Sequence, residues 1–201
     1  LDANALLAYA KAHVPAVRRA GRKVTSLQIS QFGHGQSNPT YKLQCVDVHG
    51  KDIKGLSFVL RKKPPGKILK SAHAIEREHA VQSALHRART DDVPVPTMLS
   101  LCEDTSVVGT PFYLMSFVRG HGFTKPGLDH LPTPGHRRAV YDAMADTLGA
   151  LHRLDPNRIG LSNFGGGKSK VASDKSNATY SKRQLERWAG QYALSLTQVN
   201  G

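Results

Sequence analysis

The chain has 201 residues, of which 39% are hydrophobic, so its length allows one ordinary domain or two small lobes. It contains no run of about 18 apolar residues, which predicts no membrane-spanning helix. With 28 Lys and Arg against 15 Asp and Glu, its formal net charge of +13 favours polyanions such as phosphorylated ligands, RNA or an acidic partner. Two cysteines, Cys45 and Cys102, are too few for a disulfide framework, and they predict a reducing intracellular compartment, mitochondrial or cytoplasmic.

The first part of the chain predicts one helix followed by a small antiparallel sheet. Asp2 can cap a helix over residues 2–14, and a basic loop is expected at residues 18–23. Alternating apolar and polar residues then predict three strands in a meander, with a turn at residues 49–52. The apolar positions of these strands are Leu27 and Ile29, then Tyr41, Leu43 and Cys45, then Leu56, Phe58 and Leu60.

A helix and two more strands are predicted next. Residues 64–66 (Pro-Pro-Gly) end the third strand, and a helix is expected to begin near Ser71. Residues 93–96 alternate Val and Pro and must be extended, because a residue before proline avoids the helical region. A fourth strand is predicted around residues 98–101, and a fifth over residues 112–118, where both faces are apolar and burial is expected.

Beyond Gly120 the pattern becomes helical. Thr133 and Pro134 are a suitable helix start, since a capping residue is followed by proline in the first turn. Apolar residues at helical spacing are Val140, Met144, Leu148 and Leu151, and, in a last helix, Leu185, Trp188 and Tyr192. The sequence therefore predicts an α+β fold with a sheet-containing lobe over residues 1–115 and a mainly helical part over residues 116–201.

The segment between the first two strands is a candidate binding loop. Gly33 and Gly35 would let the backbone approach a ligand closely, and Ser37 and Asn38 could contact phosphate oxygens. Taken alone, the segment is more typical of a polar hairpin loop. It is not a Walker A loop, because neither a Gly-Lys-Ser/Thr sequence nor a helix start follows it.

Two charged residues further along form a second candidate. Arg61 ends an apolar strand, and Glu78 lies on the next predicted helix, where a carboxylate could pair with the strand cation. Each residue alone is more typical of a solvated surface. The order of glycine loop, strand cation, helix glutamate and buried strand is nevertheless the order found in the ATP-binding lobe of protein kinases.

Taken together, these segments resemble the aminoglycoside phosphotransferase and choline kinase-like superfamily. The similarity is greatest to the kinase-like domain that precedes acyl-CoA dehydrogenase domains in some multidomain proteins. It runs from about residue 3 to about residue 192. The segments that carry it are GQSNPTY at 35–41, LRKKPPG at 60–66, AHAIERE at 72–78, VPVP at 93–96, LCED at 101–104 and YDAM at 141–144.

The resemblance implies a kinase-like N-lobe of about five strands and a helix, then a hinge and the first helices of an incomplete C-lobe. It also implies ATP and Mg²⁺ as cofactors. Arg61 would take the place of the phosphate-binding lysine of many kinases, with Glu78 as its partner, and the hinge backbone would bind adenine. The implied nucleotide-binding residues are Gly33, Gly35, Ser37, Asn38, Arg61, Glu78, Ser116 and Val118.

The catalytic loop of this superfamily, similar to His-Gly-Asp-x-x-x-x-Asn, is absent from the sequence. In the family it would lie beyond residue 201, so no catalytic residue is assigned in this chain. No metal-ligand spacing such as HExxH or CxxC occurs either. The predicted function is that of an ATP-dependent phosphotransferase for a small hydroxylated substrate, with an acyl-CoA-linked substrate as one candidate, present here as a fragment that cannot transfer phosphate.

The alternative is an inactive kinase-like binding module in a ribonucleoprotein such as a ribosome or its assembly intermediate. Two groups of basic residues could then contact RNA phosphates, with an affinity that falls steeply with salt. Such groups are also typical of a plain solvated face. The first comprises Lys51, Lys54, Arg61, Lys62, Lys63, Lys67 and Lys70, and the second Lys168, Lys170, Lys175, Lys182, Arg183 and Arg187.

Overall fold

The computed structural model describes residues 1–33, 37–64, 73–88, 92–162, 164 and 184–193. The chain divides into two compact units, Leu1–Leu161 and Ser162–Gly201. In the second unit residues 184–193 are helical, as their apolar spacing predicts. The functional division near residue 115 stays a prediction.

The first unit combines helices with a five-stranded antiparallel sheet, which confirms the predicted α+β class. The spatial strand order is β1-β2-β3-β5-β4, so the first three strands form the predicted meander and β5 lies between β3 and β4. The elements are α1 (Ala3–His13), α2 (Pro15–Ala20), a 3₁₀ turn (Gly21–Lys23), β1 (Ser26–Gln31), β2 (Thr40–Val46), β3 (Asp52–Lys62), α3 (Ile75–Arg87), β4 (Met98–Cys102), β5 (Phe112–Ser116) and α4 (Pro134–Arg153).

The two faces of the sheet carry different side chains, because successive residues of a strand point to opposite sides. One face packs against α1 and α2, and its buried residues include Leu43, Leu60 and Leu114. On the opposite face, the strand pairing places Thr40 beside Arg61 and Arg61 beside Tyr113. The polar groups of the candidate site therefore lie on the face turned away from α1.

The N-terminal helix begins as predicted, but the basic loop predicted at residues 18–23 is wrong. Asp2 caps α1, since its Oδ1 accepts from the N–H groups of Asn4 at 2.8 Å and Ala5 at 3.1 Å. The following segment is α2 and the 3₁₀ turn. Its helical form is favoured by Pro15 in the first turn and by burial of Val17 in the core, and Gly21 ends α2 at φ +56°.

Three further boundaries test the predictions. The helix expected to begin near Ser71 begins at Ile75, because His73 has a left-handed φ of +61°; Ser71 itself lies outside the described residues. Strand β5 ends at Ser116 and not at Val118, since the paired part of β3 reaches only Phe58 opposite Ser116. The predicted start of α4 is confirmed, and Thr133 Oγ1 accepts from the N–H of His136 at 3.3 Å.

A second, smaller core lies beside the sheet. Leu85 of α3, Val93 and Ala150 of α4 are buried together. Residues 93–96 lie outside any helix, in agreement with the prediction from their prolines. Of the predicted apolar stripe of α4, Met144 is 60% exposed and Leu148 52% exposed, whereas Val140 is half-buried. Among the residues that the structure describes, no helix has the length and apolarity needed to cross a membrane.

Candidate functional site

An ion pair between Arg61 and Glu78 forms the centre of the candidate site. Strand β3 places Arg61 next to its last residue, and α3 places Glu78 in its first turn. The Arg61 Nε–H donates to Glu78 Oε2 at 2.6 Å, and Nη2 donates to Oε1 at 3.3 Å. This two-pronged arrangement fixes the guanidinium plane, which a single lysine nitrogen could not do.

Two further donors hold the Glu78 carboxylate. The Tyr113 hydroxyl donates to Oε2 at 3.0 Å, and Asn38 Nδ2 donates to Oε1 at 2.9 Å. Burial by itself raises the pKa of Glu78, but the hydrogen bonds from Arg61, Tyr113 and Asn38 outweigh it and lower the pKa below its ordinary value. The hydrogen bond to Glu78 raises the pKa of Arg61. Both partners are therefore charged near neutral pH.

The same guanidinium binds the end of the glycine-bearing loop. Arg61 Nη1 donates to Thr40 Oγ1 at 2.9 Å and to the carbonyl oxygen of Asn38 at 3.3 Å. The N–H of Lys62 donates to the carbonyl of Pro39 at 3.0 Å. The four hydrogen bonds of Arg61 thus tie loop, strand and helix α3 to one side chain.

A largely apolar groove of about 530 Å³ opens next to this ion pair. Thr40 belongs to both features, since it lines the groove and its hydroxyl accepts from Arg61. Below the groove lie Val59 and Met115 of the sheet, on the same face as Arg61. The remaining lining residues are Phe32, Pro94, Val95, Pro96, Ser116, Phe117 and Val118.

The structure brings together most of the predicted site residues that it describes. Arg61, Glu78 and Asn38 are directly bonded, and Ser116 and Val118 line the groove. The amide of Asn38, only 3% exposed, is used by protein partners. Ser37 is exposed beside it.

The predicted glycines have different outcomes. A β-carbon at Gly33 would meet no atom within 4 Å, so no protein contact requires glycine there. Gly35 lies outside the described residues. Its predicted role beneath phosphates stays a prediction.

Several contributing residues were missed by sequence reasoning. Tyr113 had a recognisable signal, since a buried tyrosine hydroxyl needs a partner and its strand is otherwise apolar. Gln82, which donates to the Tyr113 hydroxyl at 3.4 Å, had none. Neither did His73, whose Nδ1 lies 3.1 Å from Asn38 Oδ1.

The first predicted group of basic residues does not form one cluster in the part that the structure describes. Lys54 lies near the start of β3 and Lys63 directly follows its end, so the two are roughly 30 Å apart along an extended strand. Lys63 pairs with Glu76, and Lys62 Nζ donates to the carbonyl of Val108 at 3.1 Å. Lys67, Lys70 and most of the second group lie outside the described residues, and RNA binding stays a prediction.

The implied Mg²⁺ would need side chains that can coordinate it. The described residues contain no group of three or more His, Cys, Asp and Glu side chains that could hold a metal ion. The carboxylate nearest to Arg61 already receives hydrogen bonds from Arg61, Tyr113 and Asn38. In the part of the chain that the structure describes, the Glu78 carboxylate is therefore engaged by protein donors, and phosphate binding beside Arg61 stays a prediction.

The chain is similar in sequence to curated proteins over most of its length. The chain is 42% identical over 171 residues to mouse acyl-CoA dehydrogenase family member 10. The aligned region covers 85% of this chain and 14% of that protein. It is 38% identical over 201 residues to human acyl-CoA dehydrogenase family member 11, covering 98% of this chain and 22% of that protein. The chain thus spans less than a quarter of the length of these curated relatives.

A solved structure from Ralstonia eutropha, assigned as an aminoglycoside phosphotransferase, superposes with a TM-score of 0.63 and 38% identity over 96% of this chain and 47% of that one. The model of the phosphotransferase enzyme family matches residues 28–199, a range that includes the loop, the ion pair and the groove. With the sheet order, the Arg61–Glu78 pair and these matches in agreement, the chain belongs to the phosphotransferase enzyme family.

Proposed function

We propose that the chain is the nucleotide-binding part of an ATP-dependent small-molecule kinase. The observation that carries the proposal is the position of Thr40, which lines the apolar groove and bonds the Arg61 guanidinium. A flat base can occupy an apolar groove, and a fixed cation at the edge of the groove can bind phosphate oxygens. A nucleotide combines a flat base with phosphates at its other end, which matches a groove with a cation at its edge.

In this proposal the base lies between the sheet residues Val59 and Met115 and the segment after β5. The N–H of Ser116 already donates to the carbonyl of Thr97 at 2.9 Å. The backbone of Phe117 and Val118 therefore supplies the contacts to the base edge. The proposed division of roles follows, with a nucleotide-binding lobe over residues 1–115 and a hinge and helical part over residues 116–201.

The phosphates then extend toward Arg61 and the loop that ends at Asn38. The Arg61 charge stabilises their negative charge, and Glu78 orients the guanidinium. When ATP and Mg²⁺ are bound, the metal would neutralise phosphate charge, and none of the described residues is assigned as its ligand. No described residue is assigned to act on a hydroxyl group, and the sequence holds no His-Gly-Asp-x-x-x-x-Asn loop. The role proposed for this chain is therefore nucleotide binding.

The substrate of the full catalytic unit is proposed to be a small hydroxylated molecule. An acyl-CoA-linked molecule is favoured because the mouse and human relatives are named as acyl-CoA dehydrogenase family members.

Both cysteines are free thiols and both are buried, which supports an intracellular, reducing compartment, mitochondrial or cytoplasmic.

The test is calorimetric titration of the purified chain with ADP and with adenosine. Val59→Phe fills the groove, so it should weaken binding of both ligands by about tenfold or more. Val48→Phe is the matched control, because Val48 is 75% exposed on the turn between β2 and β3 and should leave both affinities unchanged. Absence of ADP binding by the unmodified chain, or equal binding by Val59→Phe, would overturn the proposal.

A further inference from the structure

We infer that His73 is a positioning residue for the phosphate-binding cation. Its side chain holds Asn38, Asn38 holds Glu78, and Glu78 orients Arg61. The inference deepens the proposed function and rests on it. It assigns a role in phosphate binding to a residue that does not line the groove.

The hydrogen-bond directions fix the arrangement of Asn38. Its Nδ2 donates to the Glu78 carboxylate, which can only accept, so its Oδ1 faces His73. The Nδ1 of His73 must therefore carry the proton and donate to Oδ1 at 3.1 Å. Because Asn38 is 3% exposed, loss of the imidazole would leave a buried amide oxygen without this donor.

The backbone of His73 shows that this position is constrained. Its φ of +61° lies in the left-handed region, which residues with a β-carbon adopt infrequently. The N–H of Ile75 donates to the His73 carbonyl at 2.9 Å, so the same residue also precedes the first turn of α3. Glycine would adopt this backbone more easily, but it would have no side chain to bind Asn38.

The connections explain why phosphate binding and base binding should respond differently. Arg61 contacts Glu78 through two N–H groups and the Asn38 carbonyl through a third. A rotation of the Asn38 side chain would remove its hydrogen bond to Glu78 Oε1 and leave the backbone bond from Arg61 in place. The Glu78 carboxylate, and with it the guanidinium that it orients, would then be held less firmly. The groove lining would be untouched, because neither His73 nor Asn38 belongs to it.

Three substitutions separate the hydrogen bond from the backbone conformation. His73→Ala removes the imidazole and keeps a β-carbon, His73→Gly removes the imidazole and relaxes the backbone, and His73→Asn keeps an N–H donor and tolerates left-handed φ. Calorimetric titration should show about tenfold weaker ADP binding for the alanine and glycine variants. Adenosine binding should change less than about twofold, and the asparagine variant should lie between them and the unmodified chain.

The outcomes distinguish this inference from the proposed function. Equal losses for ADP and adenosine would show a general structural role and overturn the inference, and so would full ADP affinity in His73→Gly. If the unmodified chain does not bind ADP, the proposed function fails. The inference is then decided by the NMR signal of the Arg61 Nε–H, which is assigned by its absence in Arg61→Gln. Hydrogen exchange of this group that is several-fold faster in His73→Ala supports the inference, and an unchanged exchange rate overturns it.

Discussion

The Tyr113 hydroxyl lies 3.0 Å from Oε2 of Glu78, the oxygen that also receives the Nε–H of Arg61. Strand register produces this contact, because Arg61 and Tyr113 are directly paired on β3 and β5. Burial, followed by the negative charge of Glu78, raises the pKa of Tyr113. The phenol therefore remains a donor at all physiological pH values, and the carboxylate is held from the sheet as well as from the loop.

Replacing Arg61 by lysine should weaken both stability and nucleotide binding. Lysine keeps the charge but cannot reproduce the four hydrogen bonds that join Glu78, Thr40 and Asn38. We expect a loss of about 1–2 kcal/mol in the free energy of unfolding, measured by urea denaturation. The substitution should also lower the affinity for ADP more than it lowers the affinity for adenosine. Lys54→Arg, at an exposed position of the same strand, is the control and should change stability by less than about 0.5 kcal/mol. An unchanged Arg61→Lys chain would contradict this account.

Glu78 should make the unfolding free energy depend on pH on the acid side. The pKa of Glu78 in the folded chain is below its ordinary value of 4.5. Its contribution to the free energy of unfolding is therefore fully present above pH 4.5 and is lost as the pH falls through the folded pKa. Glu78→Gln should lower stability at pH 7 by about 2 kcal/mol, with a difference that shrinks toward pH 2. Glu103→Gln, at an exposed site after β4, is the control for the loss of one carboxylate. Parallel pH profiles for the unmodified and Glu78→Gln chains would be incompatible with a native pair.

Both thiols should resist alkylation in the folded chain. Burial raises the pKa of Cys45 to about 11, and Cys102 is also buried, with Sγ donating to the Asp104 carbonyl at 3.6 Å. Since the thiolate is the reactive form, iodoacetamide at pH 8 should modify native Cys45 at least about 100-fold more slowly than the unfolded chain. Mass spectrometry of timed samples measures the rates, and Cys102→Ser isolates the Cys45 signal. Rapid labelling of Cys45 under native conditions would show that the core around β2 opens readily.

The exposed apolar stripe of α4 should promote self-association without contributing to the core. Met144→Gln with Leu148→Gln should reduce binding of a hydrophobic dye and reduce oligomer formation in sedimentation velocity, because both side chains are more than half exposed. The change in unfolding free energy should remain within about 0.5 kcal/mol per substitution. Leu85→Ala gives the contrast, since Leu85 is buried against Val93 and Ala150 and its truncation should cost about 2–4 kcal/mol. A large destabilisation by the glutamine pair would show that this stripe is packed.

Much of the sheet was predictable because its signal is local. Leu27 and Leu43 alternate with polar residues, and this period of two places them on one buried face. The family resemblance further predicted the pairing of Arg61 with Glu78, and the structure brings them into contact. Their function in nucleotide binding is a separate matter, which the titrations above address.

Other features depend on contacts that no local pattern shows. Helix α2 has one buried residue, Val17, among arginines, so its sequence resembles a basic loop until it packs on the sheet. His73 combines a left-handed backbone with a side-chain contact to Asn38, which lies 35 residues earlier in the chain. The predicted start of α3 near Ser71 was wrong for this reason, because composition alone favours helix through His73.

The pairing of Thr40 with Arg61 limits how this site can be altered. One residue inserted at the start of β2 would turn every later side chain of that strand over, so that Leu43 and Cys45 would lie on the groove face of the sheet and Lys42 would enter the core. Changes of length inside the strand are therefore excluded, whereas exchanges of side chain at fixed length are tolerated. Efforts to alter the groove should accordingly diversify Phe32, Val59 and Met115 in place and keep the length of β2 constant.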